Sequence, residues 1–190
     1  TVSMWGRNRE VVDFINSHEN STYVPGIELS PAVTATTDVG EAVAGADLVA
    51  LAVPVVAIRD AAAAASVHLG EDAVFLSLAK GLELDTRRTV HDVVVEASGV
   101  DASRVAVLSG PNLSREIADH HPTATVVACS DTEVATAIAV ASHNDYFRPY
   151  VSSDVIGCEI AGATKNVIAV AIGAVEGMGL GINTRSTLIT

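Results

Sequence analysis

The sequence predicts an α/β protein with a doubly wound, Rossmann-like parallel sheet that is incomplete and leads into the start of an all-helical domain. Three observations predict it. Short Val-rich runs alternate with helical stretches up to residue 152, the pattern of β-α units in a parallel sheet. Hydrophobic residues make up 49% of the chain and are mostly Ala and Val, small or β-branched types that suit strands buried between helices. From Asp154 onward the strand pattern stops and one helical pattern takes over, with glycines near its end. The expected division is therefore an α/β domain over 1–152 and the beginning of a helical domain over 153–190.

The elements follow in order. Residues 1–5 read as a strand and 9–18 as a helix with Val11, Val12, Phe14 and Ile15 available for packing. Residues 20–31 are rich in turn formers and read as a loop, and 33–36 as a short strand. Asp38 is placed as an N-cap, with Glu41 as its capping-box partner, for a helix over 39–44. The continuous apolar run 48–53, stopped by Pro54, is a central strand, and 55–69 is helical. A strand over 73–78 ends at Ala79-Lys80-Gly81, followed by a helix over 86–98. A strand over 104–108 ends at Ser109-Gly110-Pro111, followed by a short helix over 112–119 that Asn112 or Ser114 would cap. A strand at 125–129, a helix at 131–142 and a strand at 147–151 precede the long helix.

Ligands of such sheets bind outside the carboxyl ends of the strands. Gly6-Arg7, Pro54, Lys80-Gly81 and Ser109-Gly110-Pro111 all fall at strand ends, so they form one candidate rim. No G-x-G-x-x-G motif links a strand to a helix. Gly177, Gly179 and Gly181 follow a helix and read as its C-terminal break. The first strand is thus expected to be the second of the fold, with the pyrophosphate loop upstream. Thr1-Val2-Ser3-Met4-Trp5 has no basic leader region and reads like the inside of a chain. At the end of that strand an acidic residue would favour NAD, whereas Arg accommodates a 2′-phosphate. The run Gly6-Arg7-Asn8-Arg9 therefore points to NADP, with a solvated basic turn as the other reading.

The net charge of −12 argues against nucleic acid and anionic membranes as partners. The apolar stretch 155–175 is interrupted by Glu159, Lys165 and Asn166, which argues against a membrane span. Cys129 and Cys158 are too few for a disulfide framework and lack metal spacing, so reduced thiols in a cytoplasmic protein, and no metal, are expected. On a helix, Lys165 would share a face with Cys158, Ala161, Gly162, Ile168, Ala169 and Ile172. Burial there would lower its pKa and suit it to acid/base work, with Asn166 as an uncharged donor and acceptor beside it. A lysine snorkelling at a domain junction is the alternative.

Several motifs occur in a fixed order: Trp5-Gly6-Arg7-Asn8, Ala79-Lys80-Gly81-Leu82-Glu83, Leu108-Ser109-Gly110-Pro111-Asn112, Gly162-Ala163-Thr164-Lys165-Asn166-Val167-Ile168-Ala169, and Gly177-Met178-Gly179-Leu180-Gly181-Ile182-Asn183-Thr184-Arg185. Together they resemble the bacterial NAD(P)-dependent glycerol-3-phosphate dehydrogenases across essentially the whole chain. The resemblance implies reversible hydride transfer between NAD(P)H and dihydroxyacetone phosphate, giving sn-glycerol 3-phosphate for phospholipid synthesis. It implies Lys165 as the catalytic lysine and Lys80 as a substrate-binding lysine near the nicotinamide. It also implies substrate contacts at Gly110, Asn112 and Asn166, and cofactor contacts at Arg7, Pro54, Lys80 and Ser114. Asn112 stands where Ser or Thr is frequent and Ser114 where Ala is frequent, and both remain small and polar. The partner implied is a small phosphorylated molecule, and a homodimer is the assembly considered. The family's glycine-rich loop would precede Thr1 and its phosphate clamp would follow Thr190, so the 190 residues by themselves are not expected to be a competent enzyme. A β-hydroxyacid dehydrogenase of the 6-phosphogluconate type and a non-catalytic NADP-binding protein are the rivals. Ala79-Lys80-Gly81 and Ser109-Gly110-Pro111 argue against the first, and the retained Lys80 and Lys165 against the second.

Overall fold

The computed structural model describes residues 1–18 and 25–190, so residues 20–24 of the expected loop over 20–31 lie outside the described residues. Strand β1 (Val2–Trp5) is followed by helix α1 (Arg9–Asn16), whose first turn is capped by Asn8 Oδ1 accepting the Glu10 N–H at 2.9 Å. Strand β2 (Val33–Thr36) pairs with β1 in parallel, Val2 opposite Val33. Helix α2 (Val39–Val43) begins at Asp38, whose carboxylate accepts the Glu41 N–H at 2.9 Å. Only this half of the expected capping box forms. The Thr36 hydroxyl intervenes, donating to Glu41 Oε2 at 2.6 Å and accepting the Asp38 N–H at 3.1 Å.

Strands β3 (Leu48–Leu51), β4 (Val74–Ser77), β5 (Val105–Ser109), β6 (Thr123–Ala128) and β7 (Phe147–Ser152) form a five-stranded sheet in chain order. Helices α3 (Val55–Ser66), α4 (Val90–Ser98), α5 (Ser114–Ala118) and α6 (Thr132–Ser142) connect them, and α7 (Val155–Gly177) and α8 (Ile182–Ile189) follow. Gly179, at φ +71°, makes the break between α7 and α8. The sequence reading differs from this in two respects. The strands fall into two sheets, so among the described residues β1 and β3 each have one unpaired edge. Val2, Met4, Trp5 and Leu48 are exposed there. In addition, β5 and β6 are antiparallel, Val107 opposite Ala128, whereas every other pair is parallel. The reason is length: α5 has five residues and spans only about 7.5 Å. It cannot return the chain to the far end of the sheet, so β6 starts at the rim where β5 stops.

Successive strand residues point to opposite faces, and the core divides accordingly. Phe75 and Val105 pack with Ile58, Ala62 and Ala65 of α3 and Val90, Val93 and Val94 of α4. Leu76, Ala106 and Val127 pack with Ala135, Ile138 and Ala139 of α6 on the other face. Val107, two residues beyond Val105, carries Val155 of α7, so α7 lies on the α3–α4 face. Burying side chains of this size contributes roughly 1.5–3 kcal/mol each. Beyond the sheet, α7 and α8 keep an apolar surface that includes Val167, Val170, Ile182 and Ile189. By length and composition alone α7 could cross a bilayer, with a mean hydropathy of 1.6 over its most apolar stretch.

Candidate active site

The carboxyl ends of β3, β4 and β5 share one rim. Pro54 stands there, exposed, at the start of α3. Lys80 follows β4 and Gly110 follows β5. Arg7 follows β1 in the other sheet and is exposed. A shallow pocket under the rim is lined by Lys80, Gly81, Ser109, Cys158, Glu159 and Gly162.

The loop carrying Lys80 is tied down at several points. Gly81 adopts φ +135°, a region that L residues avoid. Leu82 bridges Thr89 in an antiparallel pair, which closes the loop. Glu83 accepts two hydrogen bonds from Arg59, both at 2.8 Å, and one from the Thr86 hydroxyl at 2.5 Å. These bonds hold the Glu83 carboxyl at about 2, against an ordinary 4.5. A carboxyl with a depressed folded pKa stabilises the fold above its unfolded pKa, and that contribution is lost as pH falls through the folded value. The stabilisation from the Arg59–Glu83 pair is therefore expected to be complete above pH 4.5 and lost as the pH approaches about 2. Urea midpoints of wild type and Arg59→Met should differ at neutral pH and converge in acid. A gap that persists unchanged at the acid end would refute this assignment.

Lys80 Nζ donates to the Gly110 carbonyl at 2.5 Å. Its pKa is lowered, first by burial and then by the nearby Lys165 ammonium. Gly110 itself sits against β6. A Cβ there would lie 2.7 Å from Thr125 Oγ1, 2.9 Å from Thr125 Cα and 3.1 Å from the Ala124 carbonyl. Beneath it the Thr125 hydroxyl donates to the Ser109 carbonyl at 3.0 Å and accepts from Asn112 Nδ2 at 3.1 Å. Asn112 Oδ1 is buried and, among the described residues, unpartnered. Neither Asn112 nor Ser114 caps α5: Leu113 occupies the cap position, Asn112 is engaged with Thr125, and Ser114 is the exposed first residue of the helix.

Helix α7 starts at the opposite rim, where Asp154 caps it by accepting the Gly157 N–H at 2.8 Å. It crosses β5 with Val155, Cys158, Glu159 and Gly162 turned inward. At Gly162 it reaches the ligand rim, where a Cβ would stand 2.8 Å from Ser109 Oγ and 3.7 Å from Lys80 Cγ. Lys165 is one turn further on. Lys165 and Asn166 are both exposed, which corrects the expectation of a buried Lys165. The helix has run past the end of the sheet by then, and no described element covers it. The Cys158 and Cys129 thiols are both pushed up by burial, which keeps them protonated and poor as nucleophiles.

The structure thus brings Lys80, Gly110, Asn112 and the Lys165 end of α7 to one rim, with Pro54 at the start of α3 and Ser114 at the start of α5. Sequence reasoning missed Thr125 and treated Glu159 only as an interruption in an apolar stretch. A lone carboxylate three residues before a glycine, on a helix face otherwise made of Ala, Cys and Ile, was the available signal.

Mostly parallel β-α units with cationic side chains at the carboxyl ends of the strands, leading into helices, define an α/β fold of the Rossmann-like class. Residues 1–135 match the family described as NAD-dependent glycerol-3-phosphate dehydrogenase N-terminus, and residues 154–190 match its C-terminus counterpart. The chain belongs to the NAD-dependent glycerol-3-phosphate dehydrogenase family. It is 50% identical to a glycerol-3-phosphate dehydrogenase [NAD(P)+] of Streptomyces griseus over 190 residues, covering 100% of this chain and 56% of that protein. It is 49% identical to the protein of the same name from Thermobifida fusca, covering 98% of this chain and 56% of that one. Among solved structures, the glycerol-3-phosphate dehydrogenase of Coxiella burnetii superposes with a TM-score of 0.85 at 28% identity, over 100% of this chain and 57% of that one. The Plasmodium falciparum glycerol-3-phosphate dehydrogenase gives 0.88 at 26% identity, over 98% and 53%. The chain therefore spans a little over half the length of these relatives.

Proposed function

We propose that this chain, within a polypeptide of its relatives' length, takes part in the NAD(P)-linked interconversion of dihydroxyacetone phosphate and sn-glycerol 3-phosphate. The product would feed phospholipid synthesis in the cytoplasm. The observation that carries the reading is the pair of lysines at the rim. Different elements bring Lys80 and Lys165 close enough for one to depress the pKa of the other, in a chain whose net charge is −12. Two like charges held together are stabilised by an anion between them, and a phosphorylated substrate is such an anion.

Each residue then has a role. Lys165 holds the proton that the carbonyl oxygen of the substrate takes up. Lys80, fixed by the Gly110 carbonyl, binds and orients that substrate, with Asn112 and Asn166 as further polar contacts. Arg7, Pro54 and Ser114 suit the cofactor: Arg7 stands at the end of β1, where the ribose of a dinucleotide lies in this fold class, and Pro54 lies at the end of β3 on the same rim as Lys80. When bound, the reduced nicotinamide supplies the hydride. Residues 1–152 serve as the dinucleotide-binding part and 153–190 as the start of a helical substrate domain, whose further helices would cover the apolar surface of α7 and α8.

The test is turnover of dihydroxyacetone phosphate by the protein expressed at its relatives' length, with 6-phosphogluconate as the competing substrate. No oxidation or reduction of nicotinamide with the former would refute the proposal. NADPH should serve at least as well as NADH, because Arg7 can meet a 2′-phosphate. Arg7→Asp should shift the ratio of kcat/KM values toward NADH by about tenfold or more, the scale of one lost charge-assisted contact. An unchanged ratio would show that Arg7 does not read the phosphate.

A further inference from the structure

The two lysine-bearing segments carry like charges, and something must hold them together. On α7 the groups that line the pocket under the rim are Gly162, the half-buried Cys158 and Glu159. Glu159 is 8% exposed. Its Oε1 accepts the His91 N–H at 2.9 Å, in the first turn of α4, across 68 residues of chain. Its Oε2 is buried and without a partner among the described residues. Burying a carboxyl is costly unless it is hydrogen-bonded, and placement at a helix N-terminus offsets part of that cost. Burial pushes the Glu159 pKa up, while the His91 N–H and the Thr89 hydroxyl hold it down.

The contacts form a continuous path. Thr89 and His91 open α4, and Thr89 bridges Leu82, two residues after Lys80. Glu159 lies three residues before Gly162 and six before Lys165 on α7. One carboxyl therefore joins the closed Lys80 loop to the helix bearing Lys165. We propose that Glu159 is a positioning residue, a brace between α4 and α7 that sets where the helix bearing Lys165 stands relative to the closed Lys80 loop. The proposal rests on the dehydrogenase reading above. Lys165 from α7 faces Lys80, and Cys158 from α7 and His91 and Asp92 from α4 surround Glu159, with Asp154, the cap of α7, acting on Cys158.

The test compares Glu159→Ala and Glu159→Gln at the relatives' full length, by kcat and kcat/KM across pH with saturating NADPH. Gln keeps an acceptor oxygen for the His91 N–H and loses the charge. Glu159→Ala should lower kcat by about tenfold to a hundredfold, the cost of misplacing a reacting group by a fraction of an ångström to an ångström. It should also move the alkaline limb of kcat/KM for dihydroxyacetone phosphate to higher pH, because Lys80, which binds that substrate, escapes both burial and Lys165. Glu159→Gln should recover wild-type kcat to within about threefold and leave the limb in place. The brace is overturned if Glu159→Ala keeps wild-type kcat and profile, or loses activity only in proportion to folded protein. It is also overturned if Glu159→Gln behaves like Glu159→Ala, since charge would then be the cause. Should Glu159→Ala not fold, Glu159→Asp decides, because it keeps the charge and shortens the reach: a fall of about tenfold with the limb moved up supports the brace, and wild-type behaviour ends it. Wild type is the control. If it does not turn over dihydroxyacetone phosphate, the dehydrogenase reading fails and this inference with it. An active wild type with indifferent variants sinks this inference alone.

Discussion

Lys165→Met, in a polypeptide of the relatives' length, is expected to lower kcat by roughly a hundredfold to ten-thousandfold, the span for losing a general acid/base. Reduction of a carbonyl leaves negative charge on its oxygen, which needs a donor that can both stabilise and protonate it. Lys165 is suited to both tasks, since it stands one turn past the point where α7 clears the rim and close enough to act on Lys80. Methionine keeps the length of the side chain and removes the proton, so binding of NADPH, followed by fluorescence titration, should be nearly unchanged. Lys80→Met should damage substrate binding as well as rate, because that lysine is tethered to the Gly110 carbonyl beneath the site. If Lys165→Met keeps more than about a third of wild-type kcat, the change is too small for a lost acid/base and the lysine has no chemical role.

Gly110→Ala is the substitution expected to cost the fold most. The added methyl would meet Thr125 Oγ1 at 2.7 Å, Thr125 Cα at 2.9 Å and the Ala124 carbonyl at 3.1 Å. Two of these three atoms belong to the backbone of β6, so relief requires β5 and β6 to separate. Overpacking of this kind costs about 1–3 kcal/mol, which for a chain of this size lowers Tm by about 2–12 °C. The displaced carbonyl would also release Lys80. Gly70→Ala is the control, because nothing lies within 4 Å of a Cβ there. Calorimetric melting of both variants beside wild type is sufficient, and equal Tm values for the two would show that β5 and β6 are not packed as described.

Much of the fold was legible because hydrophobic period and punctuation agree. Pro54, Lys80-Gly81 and Gly110-Pro111 each stop an apolar run, and each does stand at the end of a strand. The antiparallel turn of β6 was not legible, since a short helical pattern over 112–119 says nothing of whether the chain crosses the sheet. The helix came out at five residues, and that length decides the direction of β6. The helical pattern puts Lys165 on a face with Cys158 and Gly162, which turn inward, but the expected burial of Lys165 does not follow from it. A stripe continues for as long as the helix does, whereas the sheet beneath it ends at Ser109. The roles of Thr125 and Glu159 depend on partners 16 and 68 residues away, at Ser109 and His91, and no local pattern reports such pairings.

The split between β1–β2 and β3–β7 has a consequence for handling the protein. Each sheet offers an open border of amide and carbonyl groups at β1 and β3, flanked by exposed Val2, Met4, Trp5 and Leu48. Such a border is a template onto which any extended chain can zip. Among the described residues nothing pairs with these borders, so their hydrogen-bonding capacity is available to neighbouring molecules. Colloidal behaviour therefore depends on what fills that border, and the −12 charge supplies the opposing repulsion.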